Sequence, residues 1–241
     1  MRLFSGILLL TLPLGLLAES ADMELAASIM RDHYGTKFNA EQKCWIYQSK
    51  EWGPYCMAPI KVQRVSARDG ARLYVLAEGR PMSSDGKISE LGVHAAPGVV
   101  GAFALNIASA AKPRYLAAAK ELHFGSFGAA GAGDAKFLRI GLPDLYGWAF
   151  ASGGTWMGTT VTWHHIVAPR GRRFVDMSDI PEMPEQDQDY TYEIAFDATQ
   201  PNQAVFPLIV TKRFTGQGET HSPPIVIRVP FNTKTWRYQL R

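Results

Sequence analysis

Residues 146–167, YGWAFASGGTWMGTTVTWHHIV, decide the fold of this chain. Two runs rich in aromatic and β-branched residues flank Gly153-Gly154, and a glycine pair in that position is typical of a two-residue hairpin turn. If Ser152 pairs with Thr155, the alternation of side chains puts the large residues on one face. That face would carry Tyr146, Trp148, Phe150, Met157, Val161 and Trp163. We therefore predict a central antiparallel hairpin with one aromatic face.

The opposite face of this predicted hairpin is nearly bare, because it is built mainly from alanine, glycine and threonine. A strand face without bulky side chains lets another group approach the backbone closely. Neighbouring residues of a strand point to opposite faces, so His164 and His165 cannot both bind one ion, and His165 should point into the aromatic core. We predict a binding surface on the bare face that comprises Trp156, Thr160, Thr162 and His164.

Alternating apolar and polar residues predict further strands on both sides of the hairpin. These strands lie near 60–66, 72–78, 135–140, 172–177, 190–197, 205–213, 224–231 and 235–240. Asp69-Gly70 is typical of a tight turn between the first two. Each run in the last third of the chain has one apolar face, which is expected of strands that pack on a single core.

Two segments predict helices. Residues 22–34 repeat apolar side chains at helical spacing and precede Gly35, a common helix terminator. Residues 98–122 are apolar and rich in alanine, and Pro113 suits the first turn of a helix, although a strand over 99–107 is the alternative. The predicted fold class is α+β: a predominantly antiparallel, sandwich-like β-sheet with an N-terminal helix and one or two helices in the middle of the chain.

The first 18 residues have the pattern of a secretory signal peptide. Arg2 precedes an apolar run that ends near Leu17, and small residues around Ala18 suit cleavage. The run is shorter than the roughly 20 residues that a membrane-spanning helix needs. We expect residues 1–18 to be removed and residues 19–241 to form a single globular domain, because no repeat or long linker divides them.

Cys44 and Cys56 are the only cysteines in the sequence. Export places them in an oxidising compartment, so we predict a structural disulfide between them. The loop that they enclose contains several aromatic residues, including Trp52 and Tyr55. These rings either pack on the sheet, as aromatic residues usually do, or form a recognition loop.

The sequence carries no motif that specifies a reaction. It lacks zinc-ligand spacings and a serine-nucleophile elbow, and both cysteines are assigned to the disulfide. The acidic stretch 176–189 contains Asp187-x-Asp189, but the glycine and glutamate of a calcium-binding loop are missing, and we expect a solvated loop. We predict no metal and no cofactor. A net charge of +3 is too small to indicate nucleic acid as a partner.

These observations favour a non-enzymatic, soluble protein of the bacterial periplasm or exterior that binds an envelope partner, either a protein or a glycan. The short leader and the single disulfide favour a bacterial source. A secreted hydrolase that draws carboxylates from separated loops is the alternative, because the spacing of such a pair is not visible in sequence. A periplasmic inhibitor or immunity-type protein is a further form of the binding function.

Overall fold

The computed structural model describes residues 14–89, 95–109, 113–199, 202–216 and 223–240. The side chains of its helix are described from Glu19 onward. The described residues form four layers, in which one helix covers a first sheet, the first sheet packs on a second, and the second packs on a third. Of the predicted leader, residues 1–13 lie outside the described part of the chain.

The first sheet follows the helix α1 (Leu14–Tyr34) and is an antiparallel meander in chain order. Its strands are β1 (Phe38–Asn39), β2 (Cys44–Ser49), β3 (Gly53–Ala67), β4 (Gly70–Pro81), β5 (Gly98–Asn106) and β6 (Arg114–Phe124). The predicted helix at 22–34 is therefore confirmed as part of α1. The predicted hairpin at Asp69-Gly70 is confirmed as the β3–β4 turn.

The first sheet curls around α1. Strands β2 and β6 are separated by three strands in the sheet order, yet their side chains meet. Tyr47 and Ser49 of β2 donate hydrogen bonds of 2.5 and 2.6 Å to the carboxylate of Glu121 on β6. Tyr34, at the end of α1, donates to the carbonyl of Lys120. The hydrogen bonds to Glu121 connect β2 with β6 and thus close the concave side of the sheet around the helix.

The second sheet holds the hairpin from which the fold prediction started. It contains β7 (Lys136–Gly141), β8 (Leu145–Trp156), β9 (Thr159–Arg170), β10 (Arg173–Asp176) and β11 (Ser178–Met183). The third sheet is β12 (Tyr190–Phe196), β13 (Leu208–Phe214) and β14 (Ile225–Val229). The chain then returns to the second sheet, where β15 (Tyr238–Gln239) pairs in parallel with β11.

Each face of the second sheet contributes to a different core. Trp148, Phe150 and Val167 pack against alanines and aromatic residues of the first sheet. On the other face, Ile166 and Ala168 pack against the third sheet. The carboxyl-terminal strands belong to two sheets, but their apolar faces share this one core, as the sequence predicts for that part of the chain.

The predicted helix over 98–122 was wrong, because this segment forms β5 and β6. The alternative of a strand over 99–107 is confirmed by β5; residues 110–112 lie outside the described part of the chain. Val99 and Phe103 of β5 face α1, whereas Val100 and Ala102 face the second sheet. A strand that is buried on both faces has no apolar–polar alternation, so its sequence resembles that of a buried helix. Gly101 also serves close packing, since a Cβ there would lie 2.0 Å from the Tyr34 hydroxyl.

The central hairpin exists, but its predicted turn was wrong. Gly153 and Gly154 lie inside β8, and the turn is Met157-Gly158, with φ of 50° and 86°. Both residues adopt positive φ, as the two central residues of a type I′ turn do. A glycine pair was therefore a misleading signal, because Gly153 is needed for packing: a Cβ there would lie 1.9 Å from the carbonyl oxygen of Val161.

The segment between the cysteines forms the β2–β3 hairpin, and Cys44 and Cys56 form the predicted disulfide. Of its aromatic rings, Trp45, Tyr47 and Tyr55 are buried, so the packing interpretation is correct for these three. Strands β1, β2 and β11 were not predicted. β11 replaces the first half of the loop expected at 176–189, and only Tyr238 and Gln239 of the strand expected at 235–240 are in a ladder.

The structure predicts different costs for truncating two tryptophans of the hairpin. Trp148 is 2% exposed, whereas Trp163 is 40% exposed. We expect Trp148→Ala to lower the free energy of unfolding by about 3–5 kcal/mol, because it leaves a cavity between the first and second sheets. Trp163→Ala should lower it by about 1 kcal/mol or less, as at other surface sites. Urea denaturation of both variants checks this, and equal losses would contradict the assigned layers.

Candidate functional site: a cleft between the second and third sheets

A cleft of about 570 Å³ lies where the third sheet stops short of covering the second. Its floor includes Leu138 of β7 and Ala149 and Ala151 of β8. Lys136 pairs with Ala149, Ala149 with Ile166, and Ala151 with His164, so these residues share the face that packs on the third sheet. Because the side chains of Ala149 and Ala151 are small, the space above the floor stays open beside the part of this face that packs on the third sheet.

The strand β12 forms one wall of the cleft. Thr191, Tyr192, Glu193, Ile194 and Phe196 all border the space. Side chains of adjacent residues point to opposite faces, so the run of four consecutive bordering residues, 191–194, indicates that the edge of the strand faces the cleft. In the described ranges, β12 pairs with β13 alone, and its other edge is open.

His164 joins the floor of the cleft to this wall. Its Nε2 atom is hydrogen-bonded to the carbonyl oxygen of Tyr192. A carbonyl can only accept, so Nε2 carries the proton and donates it. Burial lowers the pKa of His164 below its ordinary value of 6.5, although the Tyr192 carbonyl and the charge of Glu182 oppose the shift. The ring is therefore neutral at pH 7 and ties β12 to the second sheet.

The charged groups of the cleft come from separate segments. Asp134 ends a 3-10 turn (Ala132–Asp134) and Lys136 begins β7, while Glu182 lies in β11. Glu193 of β12 also borders the cleft and pairs with Arg213 at 2.9 Å. The structure shows no ion pair for Asp134, Lys136 or Glu182 within the described ranges. The cleft thus combines an apolar floor with the carboxylate of the Glu193–Arg213 ion pair, two further carboxylates and one ammonium group.

The structure separates the four predicted binding residues. His164 lines the cleft, and Thr160 and Thr162 share its face nearer the hairpin tip. Thr160 is hydrogen-bonded to Thr155 at 2.9 Å, and the buried hydroxyl of Thr162 has no partner in the described part of the chain. Trp156 was wrongly assigned to this face. In the observed register it shares the face of Trp148, because the turn lies at Met157-Gly158.

Trp156 instead belongs to a group of exposed apolar side chains at the hairpin tip. Trp156, Trp163, Phe127 and Met157 are all substantially exposed. The loop that carries Phe127 is held to the hairpin by a hydrogen bond of 3.2 Å from the Ser126 hydroxyl to the Gly153 carbonyl. Trp156 and Trp163 lie on the opposite side of the sheet from His164.

His165 has the structural role predicted for it. It lies against the rings of Phe124 and Phe150 on the aromatic face. Its Nδ1 atom is 2.8 Å from a carboxylate oxygen of Asp176. The second oxygen of Asp176 accepts the backbone N–H groups of Ile166 and Ser178. This carboxylate braces β9 at the point where the chain passes from β10 to β11.

Comparison with protein-family models, with curated proteins and with solved structures found no match to this chain. Among the described residues, no group of three or more histidine, cysteine, aspartate or glutamate side chains is arranged to hold a metal ion. The one helix described is not long and apolar enough to cross a membrane. The candidate site therefore has to be interpreted from its own geometry.

Sequence reasoning found one residue of the cleft and missed the others. The bare face was a usable signal, and it led to His164. The sequence analysis placed the charged residues of the cleft, Asp134, Lys136 and Glu182, in loops or in an unrelated strand. It indicated only a core position for the two apolar residues of β12, Ile194 and Phe196. Nothing in the sequence signals that β12 lies beside β8, because that contact depends on how two sheets are stacked.

The buried, neutral His164 predicts a pH dependence of stability. Its pKa is lower in the folded protein than in the unfolded chain, so the unfolded chain binds the proton first as the pH falls. The associated stability is complete above about pH 6.5 and is lost as the pH falls below that value. We expect His164→Gln to weaken the dependence of unfolding free energy on pH between about 7.5 and 5. Urea denaturation across that range measures it, and identical slopes for wild type and variant would refute it.

Proposed function

We propose that this chain is an exported, non-enzymatic binding protein of the bacterial periplasm or exterior, and that the cleft beside β12 holds an envelope partner. The observation that carries this proposal is the shape and lining of the cleft. Its volume of about 570 Å³ falls within the range of roughly 300–1,000 Å³ that is common for ligand pockets. Its apolar floor and polar rim are also typical of such pockets.

His164 gives the cleft a fixed wall. Its Nε2–H group donates a hydrogen bond to the carbonyl of Tyr192, and this bond ties β12 to the second sheet. A wall that is held in place in this way suits a preformed binding surface.

The disulfide supports the export part of the proposal. Disulfides persist in secreted and periplasmic proteins and are rare where cellular thiols are kept reduced. Cys44 and Cys56 are buried and join β2 to β3 in the first sheet. Such a bond suits a structural role in an oxidising compartment.

One observation favours the second candidate function, a secreted hydrolase. Asp134 and Glu182 come from separate segments and border the same cleft, and pairs of carboxylates carry out glycoside hydrolysis. The two functions differ in one observable. A hydrolase should release reducing ends from envelope polysaccharide, and Asp134→Asn and Glu182→Gln should each abolish the release. A binding protein should release none.

Filling the floor of the cleft should abolish partner binding. We expect Ala151→Leu to reduce capture of the partner about tenfold or more, because the added carbons occupy the space above the floor and clash with a bound group. The matched control is Ala195→Leu, since Ala195 is an exposed alanine of β12 whose side chain points away from the second sheet. Immobilised mature wild type, Ala151→Leu and Ala195→Leu are compared on envelope extract by quantitative analysis of captured proteins and glycans.

Folding of the three proteins is compared by circular dichroism and thermal unfolding. Wild type and Ala195→Leu should capture the same partner, and folded Ala151→Leu should not. Equal capture by all three folded proteins would show that the cleft is not the binding site.

A further inference from the structure

The third sheet covers only part of the second. Ile140, Ile166, Ala168 and Ile180 lie beneath the third sheet in a common core. Leu138, Ala149 and Ala151 lie on the same face but border the open cleft. β12 is the last strand of the third sheet on this side. A further strand beside β12 would therefore lie over the uncovered floor and extend the stacked sheets.

The backbone of β12 presents unused hydrogen-bonding groups to this space. Asp189 precedes β12 and Asp197 follows it, and the backbones of both bond toward β13. The Thr215 N–H donates to the Asp189 carbonyl, and the Asp197 N–H donates to the Pro207 carbonyl. With a period of two, the odd-numbered residues bond to β13 and the even-numbered ones point outward. The contact of His164 with the Tyr192 carbonyl confirms the outward direction.

The outward groups that remain are the N–H of Tyr192 and the N–H and C=O groups of Ile194 and Phe196. Neither Ile194 nor Phe196 has a backbone partner on the cleft side among the residues that the structure describes. Within the same residues, the Tyr192 carbonyl has His164 as its partner. An open strand edge of this kind is satisfied best by another extended backbone, as in peptide recognition by strand addition.

The dimensions of the cleft suit a short strand. Strands of one sheet lie about 4.8 Å apart and stacked sheets about 10 Å apart. The five residues from Tyr192 to Phe196 extend over about 17 Å at roughly 3.4 Å per residue. Ala149 and Ala151 leave room on the floor for the inward side chains of an added segment, and Leu138 and Ile194 offer apolar contacts.

The charges of the rim define the segment further. Asp134 and Glu182 contribute two negative charges, against one positive charge from Lys136, and the charge of Glu193 is balanced by Arg213. A basic side chain that leaves the added strand toward either carboxylate would gain a charge-assisted hydrogen bond. An extended peptide with small or apolar residues at alternate positions and a lysine or arginine at one end complements this cleft.

We propose that β12 takes up an extended polypeptide segment of the partner as a fourth strand of the third sheet, bonded to the backbone of Ile194 and Phe196. This inference rests on the proposed function and specifies its ligand class, a protein rather than a glycan. The backbone hydrogen bonds between β12 and the added strand give affinity that does not depend on one sequence. The floor and the rim of the cleft select the side chains of the segment.

The test uses a phage-displayed library of random dodecapeptides, selected on the mature protein and counter-selected on Ala151→Leu. A synthetic copy of an enriched peptide is then methylated at one backbone nitrogen at a time. Methylation of every second residue should weaken binding about tenfold, the effect of losing one hydrogen bond worth ~1.4 kcal/mol. Methylation of the intervening residues, which point to solvent, should change the dissociation constant less than about threefold.

A variant of the protein tests the same ladder from the other side. Ile194→Pro removes the outward N–H and leaves the bonds between β12 and β13 in place, because Ile194 does not bond to β13. It should weaken the peptide about tenfold, while Ile194→Val, which keeps the N–H and loses only one methylene of the apolar contact, should weaken it clearly less. Thermal unfolding verifies that both variants fold. If Ile194→Pro does not fold, the methylation series alone tests the inference.

Two results would overturn the inference. One is a methylation series without a two-residue period. The other is a failure to enrich any peptide over the counter-selection while envelope capture still distinguishes wild type from Ala151→Leu. In both cases the cleft remains a binding site for a folded surface or a glycan. If envelope capture also fails to distinguish the two proteins, the proposed function fails as well.

Discussion

The burial of the β8–β9 hairpin on both of its faces is the constraint on which the rest of the structure depends. Trp148 and Phe150 need the first sheet to remove them from water, and Ile166 and Ala168 need the third. Burial of large aromatic and aliphatic groups supplies the main favourable free energy of folding. The hairpin therefore forms the middle of a stack, and the segments before and after it in the chain provide the outer layers.

The cleft follows from a mismatch in size between two of these layers. In the part of the chain that the structure describes, the third sheet has three strands, too few to cover the face of the second. The uncovered floor includes the small residues Ala149 and Ala151, whereas the covered part of the same face includes three isoleucines, Ile140, Ile166 and Ile180. His164 stands at the boundary, and its bond to Tyr192 sets the position of the last covering strand. His164 thus lies at the border between the packed core and the open cleft.

Several errors of the sequence interpretation have one physical origin. In amphipathic strands such as β12, apolar and polar residues alternate along the sequence, so the positions of these strands were predicted well. β5 is buried by α1 on one side and by the second sheet on the other, so its alternation disappears and the segment resembles a helix. The Gly153-Gly154 pair resembles a turn, but close packing against Val161 and Thr162 explains Gly153, and the turn lies at Met157-Gly158.

The sequence by itself determined the strand-rich α+β class, the N-terminal helix, the disulfide and the bare face that holds His164, because composition, local spacing and periodicity encode these features. Only the tertiary structure decided that Trp156 lies on the other face, since a shift of the turn changes which residues of the two strands stand opposite each other. It also decided that Asp134, Glu182 and the edge of β12 meet at one cleft. Those contacts join residues that are far apart in the chain, and they depend on how whole sheets stack.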